Sequence, residues 1–373
     1  MIKVLHFFKT YHPETMGGIE QVIFQLAEGC AEGDVQSEVL YLSARGGARD
    51  ETVGHHLSHR SKLDFHVAST GFSLSAIKDF KQLADQADLI HYHFPWPYMD
   101  LVHFISRVHK PTVVSYHADI VKQKTLLKFY QPLMDRFLGS VDRIVASSPH
   151  YVQSSPVLKR FAEKVTVIPY GLDPETYPKP SAEHLEYWRS RVGSKFFLFV
   201  GALRYYKGLD YLLEAAVLCG LPIVIVGCGH MEAELKSHAA SAGANSVHFV
   251  GGVCDEDKAA LLTLCHGFVF PSHVRSESFG ISLLEAAMYG KPLISCEIAS
   301  GMSYVNIHRE TGLVVPPGDA SALASAMQSI WDDAGMARAM GEAAHKRFEQ
   351  VFTAQNMCKR YVEVYQSVLQ SRS

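Results

Sequence analysis

The sequence predicts an α/β protein made of two doubly wound parallel-sheet domains, and three observations carry that expectation. Short β-branched or aromatic runs alternate with segments of helical periodicity from the N-terminus onward, the pattern of βαβ units. The alternation pauses at Pro169-Tyr-Gly-Leu-Asp-Pro-Glu-Thr-Tyr-Pro-Lys-Pro180, a cluster of prolines and turn formers, and then restarts. The 373 residues also exceed what a single core of ordinary size organises. The expected partition is an N-terminal domain over 1–170, a linker over 171–195, a second domain over 196–350 and a closing helix over 351–373.

In the first half, strands are expected over 3–8, 37–42, 89–94, 112–116, 143–147 and 165–168, with helices over 18–31, 75–84, 126–137 and 151–161. In the second half, strands are expected over 196–201, 223–227, 247–250, 267–270 and 293–296, with helices over 208–218, 231–240, 258–265, 281–289 and 321–332. At the end, Met357, Tyr361, Tyr365 and Val368 recur at helical spacing behind Thr353, a candidate N-cap, so an amphipathic helix should pack back on the N-terminal domain. Open α/β sheets bind ligands beyond their strand C-termini, which directs attention to the βα loops and to a cleft faced by both domains.

Composition narrows the chemistry. With 35 basic against 38 acidic residues and a net charge of −3, no global field draws nucleic acid, so an anionic ligand must be held by local groups. The seven cysteines are scattered and contain no C-x-x-C pair, which fits a reducing compartment without structural zinc. The apolar start Met1-Ile-Lys-Val-Leu-His-Phe-Phe is too short for a signal sequence, and no stretch approaches the roughly 18 apolar residues of a membrane span. A cytoplasmic protein is expected.

Two segments of the second half suggest a site for a phosphorylated ligand. After the strand ending at Phe270, the loop Pro271-Ser-His-Val-Arg-Ser-Glu277-Ser278-Phe279-Gly280 runs into a helix beginning Ile281-Ser-Leu-Leu-Glu285. Amides at a helix start favour an anion, Gly280 permits close approach, and the carboxylates of Glu277 and Glu285 are suited to accept from sugar or ribose hydroxyls. By position alone, two surface glutamates capping a helix would read the same way. The second segment, Phe199-Val-Gly-Ala-Leu-Arg204-Tyr-Tyr-Lys207-Gly208, sets two cations where they could neutralise a diphosphate leaving group, although solvated surface charges are the plainer reading of that stretch alone.

Together these segments resemble the family 4 retaining glycosyltransferases of GT-B fold, whose hallmark E-x-F-G-x-x-x-x-E is matched at Glu277, Phe279, Gly280 and Glu285, and whose R-x-x-K-G pattern is matched at Arg204 and Lys207. The resemblance implies two Rossmann-like domains facing across a cleft. It also implies that Glu277 contacts donor sugar hydroxyls, that Ser278, Phe279, Gly280 and Ile281 hold the sugar and distal phosphate by backbone amides, that Glu285 binds the ribose, and that Arg204 and Lys207 bind the diphosphate. The loop Phe249-Val250-Gly251-Gly is similar to the family segment that meets the nucleobase, which assigns Val250 and Gly251. Val226-Gly-Cys-Gly-His-Met-Glu232 offers G-x-G after a strand, but Glu232 stands where a dinucleotide fingerprint has its third glycine. Asp255-Glu-Asp257 has the form of a metal-binding D-x-D and is read instead as acids stabilising a helix start.

The first half carries matching features. Met16-Gly17-Gly18-Ile19-Glu20 follows the first strand and opens a helix, a place where a phosphate can approach or where the chain simply turns. The family has G-G-x-E here, completing the diphosphate pocket. Thr112-Val-Val-Ser-Tyr-His117-Ala-Asp119 puts His117 just past a strand, and the resemblance maps it to a histidine that contacts the donor sugar; Ala118 departs from the family pattern, which places the acid next to the histidine. His91 and His93 share a strand face at a spacing that could suggest zinc, but no further ligand pair is evident, and the resemblance, in which H-x-H stands at the acceptor wall, implies that they line the cleft. The mix of cations and apolar residues in Lys122-Gln-Lys124-Thr-Leu-Leu-Lys128-Phe-Tyr130 suits either a membrane surface or a solvated helix.

Lys9-Thr-Tyr-His-Pro-Glu-Thr-Met-Gly-Gly-Ile-Glu-Gln-Val-Ile and His91-Tyr-His-Phe-Pro-Trp-Pro look like segments of bacterial O-antigen mannosyl- and rhamnosyltransferases. The resemblance therefore implies a metal-independent enzyme that moves mannose or rhamnose from a GDP-sugar to a polysaccharide or lipid-linked acceptor, with a peripheral contact at the inner membrane as a hypothesis and no nucleic-acid partner. A UDP-sugar donor, a GT-B-shaped epimerase and a sugar-nucleotide sensor are the alternatives. One departure is Gly301-Met-Ser-Tyr-Val-Asn306, where many relatives carry a glutamate-containing turn before the intact Thr311-Gly-Leu-Val-Val-Pro-Pro-Gly-Asp319.

Overall fold

The computed structural model describes residues 1–45, 50–67, 70–120 and 124–372 and divides into two compact units, Met1–Gly171 with Thr353–Ser373, and Leu172–Phe352. The first unit holds an eight-stranded sheet in the spatial order Val165–Val167, Arg143–Ala146, Thr112–Tyr116, Leu89–Phe94, Ile2–Phe7, Val35–Ser43, His56–Lys62, Asp50–Val53. Every neighbouring pair is parallel except the last. Chain order runs outward in both directions from Ile2–Phe7 except at the edge hairpin, where His56–Lys62 lies inside Asp50–Val53, so the switch point lies between Ile2–Phe7 and Leu89–Phe94.

Because side chains alternate along a strand, each face of this sheet has its own character. One face is a hydrophobic layer that includes Phe7, Leu40, Tyr92, Phe94, Tyr116 and Trp96. The other face carries His6, His91, His93 and Ser115, and the C-terminal helix Ala354–Arg372 covers it with the buried Tyr361 and Tyr365. That helix starts where Thr353 Oγ1 accepts from the Asn356 amide at 3.2 Å.

The second unit has a fully parallel six-stranded sheet ordered Val247–Gly251, Ile223–Val226, Phe197–Val200, Gly267–Phe270, Leu293–Cys296, Gly312–Val315. Its switch point falls between Phe197–Val200 and Gly267–Phe270. The loops leaving these two strands are the Arg204-Lys207 and Glu277-Gly280 segments, so the topology sets both motifs side by side.

Several expectations need correction. Residues 171–195 are not a free linker: helix Ala182–Val192 belongs to the second unit, and its Trp188 donates to Asp257 Oδ1 at 2.8 Å. The helix expected over 151–161 is two, Pro149–Ser154 and Pro156–Arg160, because Pro156 has no N–H to continue the first and Ser155 caps the second through the Leu158 amide. Strands Asp50–Val53, His56–Lys62, Phe65–Val67 and Thr70–Phe72 form where the sequence predicts none, since this stretch is polar and histidine-rich.

Candidate active site

At the head of the second sheet, a short 3-10 turn, Tyr205–Lys207, carries Lys207 inward while Arg204 stays exposed. Lys207 Nζ donates to Glu277 Oε2 at 2.6 Å, with side-chain exposures of 10% and 12%. The ammonium also lies 4.5 Å from the centroid of Phe270, a cation–π contact. The two sequence motifs thus meet as one ion pair. Among the described residues no side chain holds the Arg204 guanidinium, which remains available to an anion.

Gly208 follows with φ +69°, and a Cβ there would stand 2.1 Å from the carbonyl oxygen of Pro271, so only glycine lets the two loops touch. Gly280, at φ +87°, turns the second loop into helix Ile281–Met288 and places its own N–H and that of Ile281, which have no acceptor among the described residues, at the helix start. Phe279 is buried below them, and the Ser278 carbonyl accepts from the Gly301 amide at 2.7 Å. The segment Gly301–Asn306 that departs from the family pattern therefore braces the Ser278-Phe279 loop through its backbone.

Glu285 lies one turn into the same helix and is only 5% exposed. Tyr177 and Lys258 both donate to its Oε1, at 3.0 and 3.1 Å. Burial pushes the Tyr177 phenol well above its ordinary pKa, with the Glu285 charge adding to this, and it stays protonated. Burial works against the charge of Lys258, but the carboxylates of Glu285 and Asp255 outweigh it and raise the ammonium's pKa. Sequence reasoning missed both residues: Tyr177 lay in the expected linker, and Lys258 only opened the helix expected over 258–265.

The neighbouring loops explain other glycines. Gly227 and Gly229 would, with a Cβ, meet the backbone oxygens of Gly201 at 2.1 Å and Leu203 at 2.3 Å. The G-x-G element thus serves loop-to-loop packing, which accounts for it without a dinucleotide. Val250 and Gly251 end the strand Val247–Gly251, where Gly251 takes φ +75° and its carbonyl accepts from Gly227 N–H at 2.8 Å. In the D-x-D segment the helix starts at Asp255 itself; Asp255 pairs with Lys258 at 3.0 Å, and Asp257 accepts from Trp188 and from Cys254.

In the first unit Gly17 is the N-cap of helix Gly18–Gly29, and a Cβ on it would lie 2.5 Å from Glu20 Oε2. The Glu20 carboxylate folds back against that turn and accepts from Thr10 Oγ1 at 2.6 Å, a favourable place for an acid beside a helix start. His117 sits apart from solvent: its Nδ1 meets Tyr170 Oη at 2.6 Å and its Nε2 meets His93 Nδ1 at 3.0 Å. As placed it has no free ring nitrogen, so contact with a sugar would require one of these bonds to break. Asp119 Oδ1 likewise accepts from Tyr116 and Ser155.

His91 and His93 are both fully buried, which corrects the expectation that they form a cleft wall. With His6 they form the one group among the described residues that could hold a metal ion, the ligand atoms lying within 4.8 Å of one another. The nitrogens are engaged instead with each other and with neighbours: His6 Nδ1 with His93, His91 with Tyr365 and Ser115, and His93 with His117. Of the ring nitrogens in this cluster, His6 Nε2 is the one without a partner among the described residues. Burial, with a neighbouring charge adding to it, lowers His6 and His117 to about 3, so the chain of rings is neutral.

Comparison with known proteins decides the family. Residues 16–176 match the family described as Glycosyltransferase Family 4, and residues 182–347 match Glycosyl transferases group 1. A D-rhamnosyltransferase, WbpZ, of Pseudomonas aeruginosa is 56% identical across 95% of this chain and 93% of its own. This chain belongs to the family 4 glycosyltransferases. An O-antigen chain mannosyltransferase C of Escherichia coli is 50% identical over the full length of both chains. A sucrose-phosphate synthase from Thermosynechococcus elongatus shares the fold, with a TM-score of 0.82 at 20% identity over 100% of both chains. The protein is thus a glycosyltransferase of GT-B fold, with a Rossmann-like parallel sheet in each unit.

Proposed function

We propose that this glycosyltransferase moves mannose or rhamnose, with retention of anomeric configuration, from a GDP-sugar to a growing O-antigen polysaccharide or its lipid-linked precursor. The observation that carries this reading is the full-length identity of 50% and 56% to an O-antigen chain mannosyltransferase and a D-rhamnosyltransferase. In this scheme Arg204 and Lys207 neutralise the diphosphate as its bond to the anomeric carbon breaks. The acceptor hydroxyl oxygen forms the new bond on the same face, and its proton passes to the departing phosphate. Glu277 orients the sugar hydroxyls, the Gly280 and Ile281 amides face the distal phosphate, Glu285 holds the ribose, and Val250 and Gly251 border the base. Gly17, Gly18 and His117 carry the contacts the family resemblance assigns them, His117 after exchanging one of its internal bonds.

The reaction needs no divalent metal in this reading, because the two cations supply the charge and the D-x-D carboxylates are engaged by Lys258, Trp188 and Cys254. The enzyme would work in the cytoplasm. Among the described residues no helix is long and apolar enough to cross a membrane. Of the segment expected to approach the bilayer, Lys122 and Gln123 lie outside the described residues, and Phe129 is 82% exposed on helix Lys124–Ser140. Liposome flotation with anionic vesicles tests that contact, and a protein left in the soluble fraction overturns it.

The deciding assay supplies GDP-mannose, GDP-rhamnose and UDP-hexoses with a lipid-linked O-antigen acceptor in EDTA. Glycolipid formed from a GDP-sugar is the expected product. Product only from a UDP-sugar refutes the donor assignment, and activity that returns only with Mg²⁺ or Mn²⁺ refutes metal independence.

A further inference from the structure

We infer that Tyr177 and Lys258 are positioning residues that commit Oε1 of Glu285 and leave Oε2 as the acceptor for a ribose hydroxyl of the donor nucleotide. This rests on the reading that Glu285 binds the ribose, and it assigns what makes that contact selective.

A carboxylate oxygen has two lone-pair directions. Tyr177 Oη at 3.0 Å and Lys258 Nζ at 3.1 Å use those of Oε1, while among the described residues no group donates to Oε2. Lys258 is itself anchored at 3.0 Å by Asp255, and its ammonium lies 5.4 Å from the centroid of the Tyr177 ring. Its helix, Asp255–Leu264, is tied in turn to helix Ala182–Val192 through Trp188 and Asp257. Glu285 is therefore held at Oε1 before any nucleotide arrives, by a neutral phenol and by an ammonium shared with Asp255, while Oε2 stays open to a ligand hydroxyl. A bound nucleotide lacking the hydroxyl that meets it would cover Oε2 and leave it without a donor, the arrangement that discriminates most strongly against a missing group.

The test measures binding of GDP or UDP, whichever binds the intact protein more tightly, and of its 2′-deoxy and 3′-deoxy analogues by calorimetry. Wild type should prefer the ribonucleotide over at least one deoxy analogue by about tenfold to a hundredfold. Tyr177→Phe, which removes a single oxygen, and Lys258→Met should each shrink that ratio several-fold with deoxy affinity nearly unchanged, and Lys258→Arg should restore it. Those ratios separate positioning from folding, because a loosened fold weakens all ligands together. If Glu285→Gln erases the preference while Tyr177→Phe and Lys258→Met keep the wild-type ratio, the positioning role is wrong and the ribose reading survives. If neither nucleotide binds, or Glu285→Gln leaves the ratio intact, the ribose reading fails and takes this inference with it.

Discussion

Arg204 and Lys207 stand three residues apart yet live in different surroundings, and substitution should separate them. Arg204 is exposed and its guanidinium has no partner among the described residues, so Arg204→Ala should lower kcat/KM by roughly a hundredfold or more through lost charge stabilisation and leave the melting temperature unchanged. Undiminished turnover would remove the guanidinium from the mechanism. Lys207 is buried against Glu277, so Lys207→Met should both impair activity and destabilise by about 3 kcal/mol, since an uncompensated carboxylate remains. Lys207→Met combined with Glu277→Gln should recover most of that stability in denaturant melts, and no activity. The motif residues were legible in the sequence because each stretch is local and its chemistry is carried by charge. Tyr177, Lys258 and the bonded state of His117 were not, because their roles depend on partners as distant in sequence as Glu285 and His93, which only the fold brings near.

At the scale of elements, the strands richest in β-branched and aromatic residues were read closely; Leu89–Phe94, Thr112–Tyr116, Gly267–Phe270 and Leu293–Cys296 fall on the expected bounds. These are interior strands of parallel sheets, buried on both faces, where composition leaves little ambiguity. Edge and hairpin strands between Asp50 and Phe72 escaped because exposed strands keep polar residues, and the 171–195 segment looked like a linker because prolines dominate its start. The loops hold a sharper test. Gly208 and Gly243 have nearly equal φ, +69° and +74°, but a Cβ on Gly208 meets Pro271 O at 2.1 Å whereas one on Gly243 meets nothing within 4 Å. Gly243→Ala should cost about 1 kcal/mol, the strain of the left-handed backbone alone. Gly208→Ala should cost distinctly more and shift the Arg204-Lys207 loop, lowering nucleotide affinity as well. Equal melting temperatures for the two variants would show that the loops can part freely.

On the scale of the whole molecule, the C-terminal helix encloses the histidine-bearing face of the first unit, and that closure sets how the protein responds to acid. The sequence showed the apolar stripe of this helix, but its tyrosines also satisfy polar partners: Tyr365 bonds His91 at 2.8 Å and Tyr361 bonds Ser115 at 2.7 Å. His6 and His117 titrate near 3 in the folded chain, against about 6.5 when unfolded. Above pH 6.5 both states are neutral and stability is indifferent to these groups. As pH falls below 6.5 the unfolded chain binds protons that the folded chain does not, so stability is lost toward pH 3 at up to about 1.4 kcal/mol per pH unit for each ring. Burial lowers His91 and His93 in the same direction, which steepens the fall. Denaturant unfolding followed between pH 7 and 5 should show this decline, reported by Trp96 of the first unit in a protein whose Trp188 and Trp331 are replaced by Phe. Replacing His6, whose Nε2 has no partner, by Gln should make the decline shallower by about one proton's worth. A stability that stays flat across this range would mean that the rings take up protons within the fold, and the neutral chain from His6 to Tyr170 would have to be abandoned.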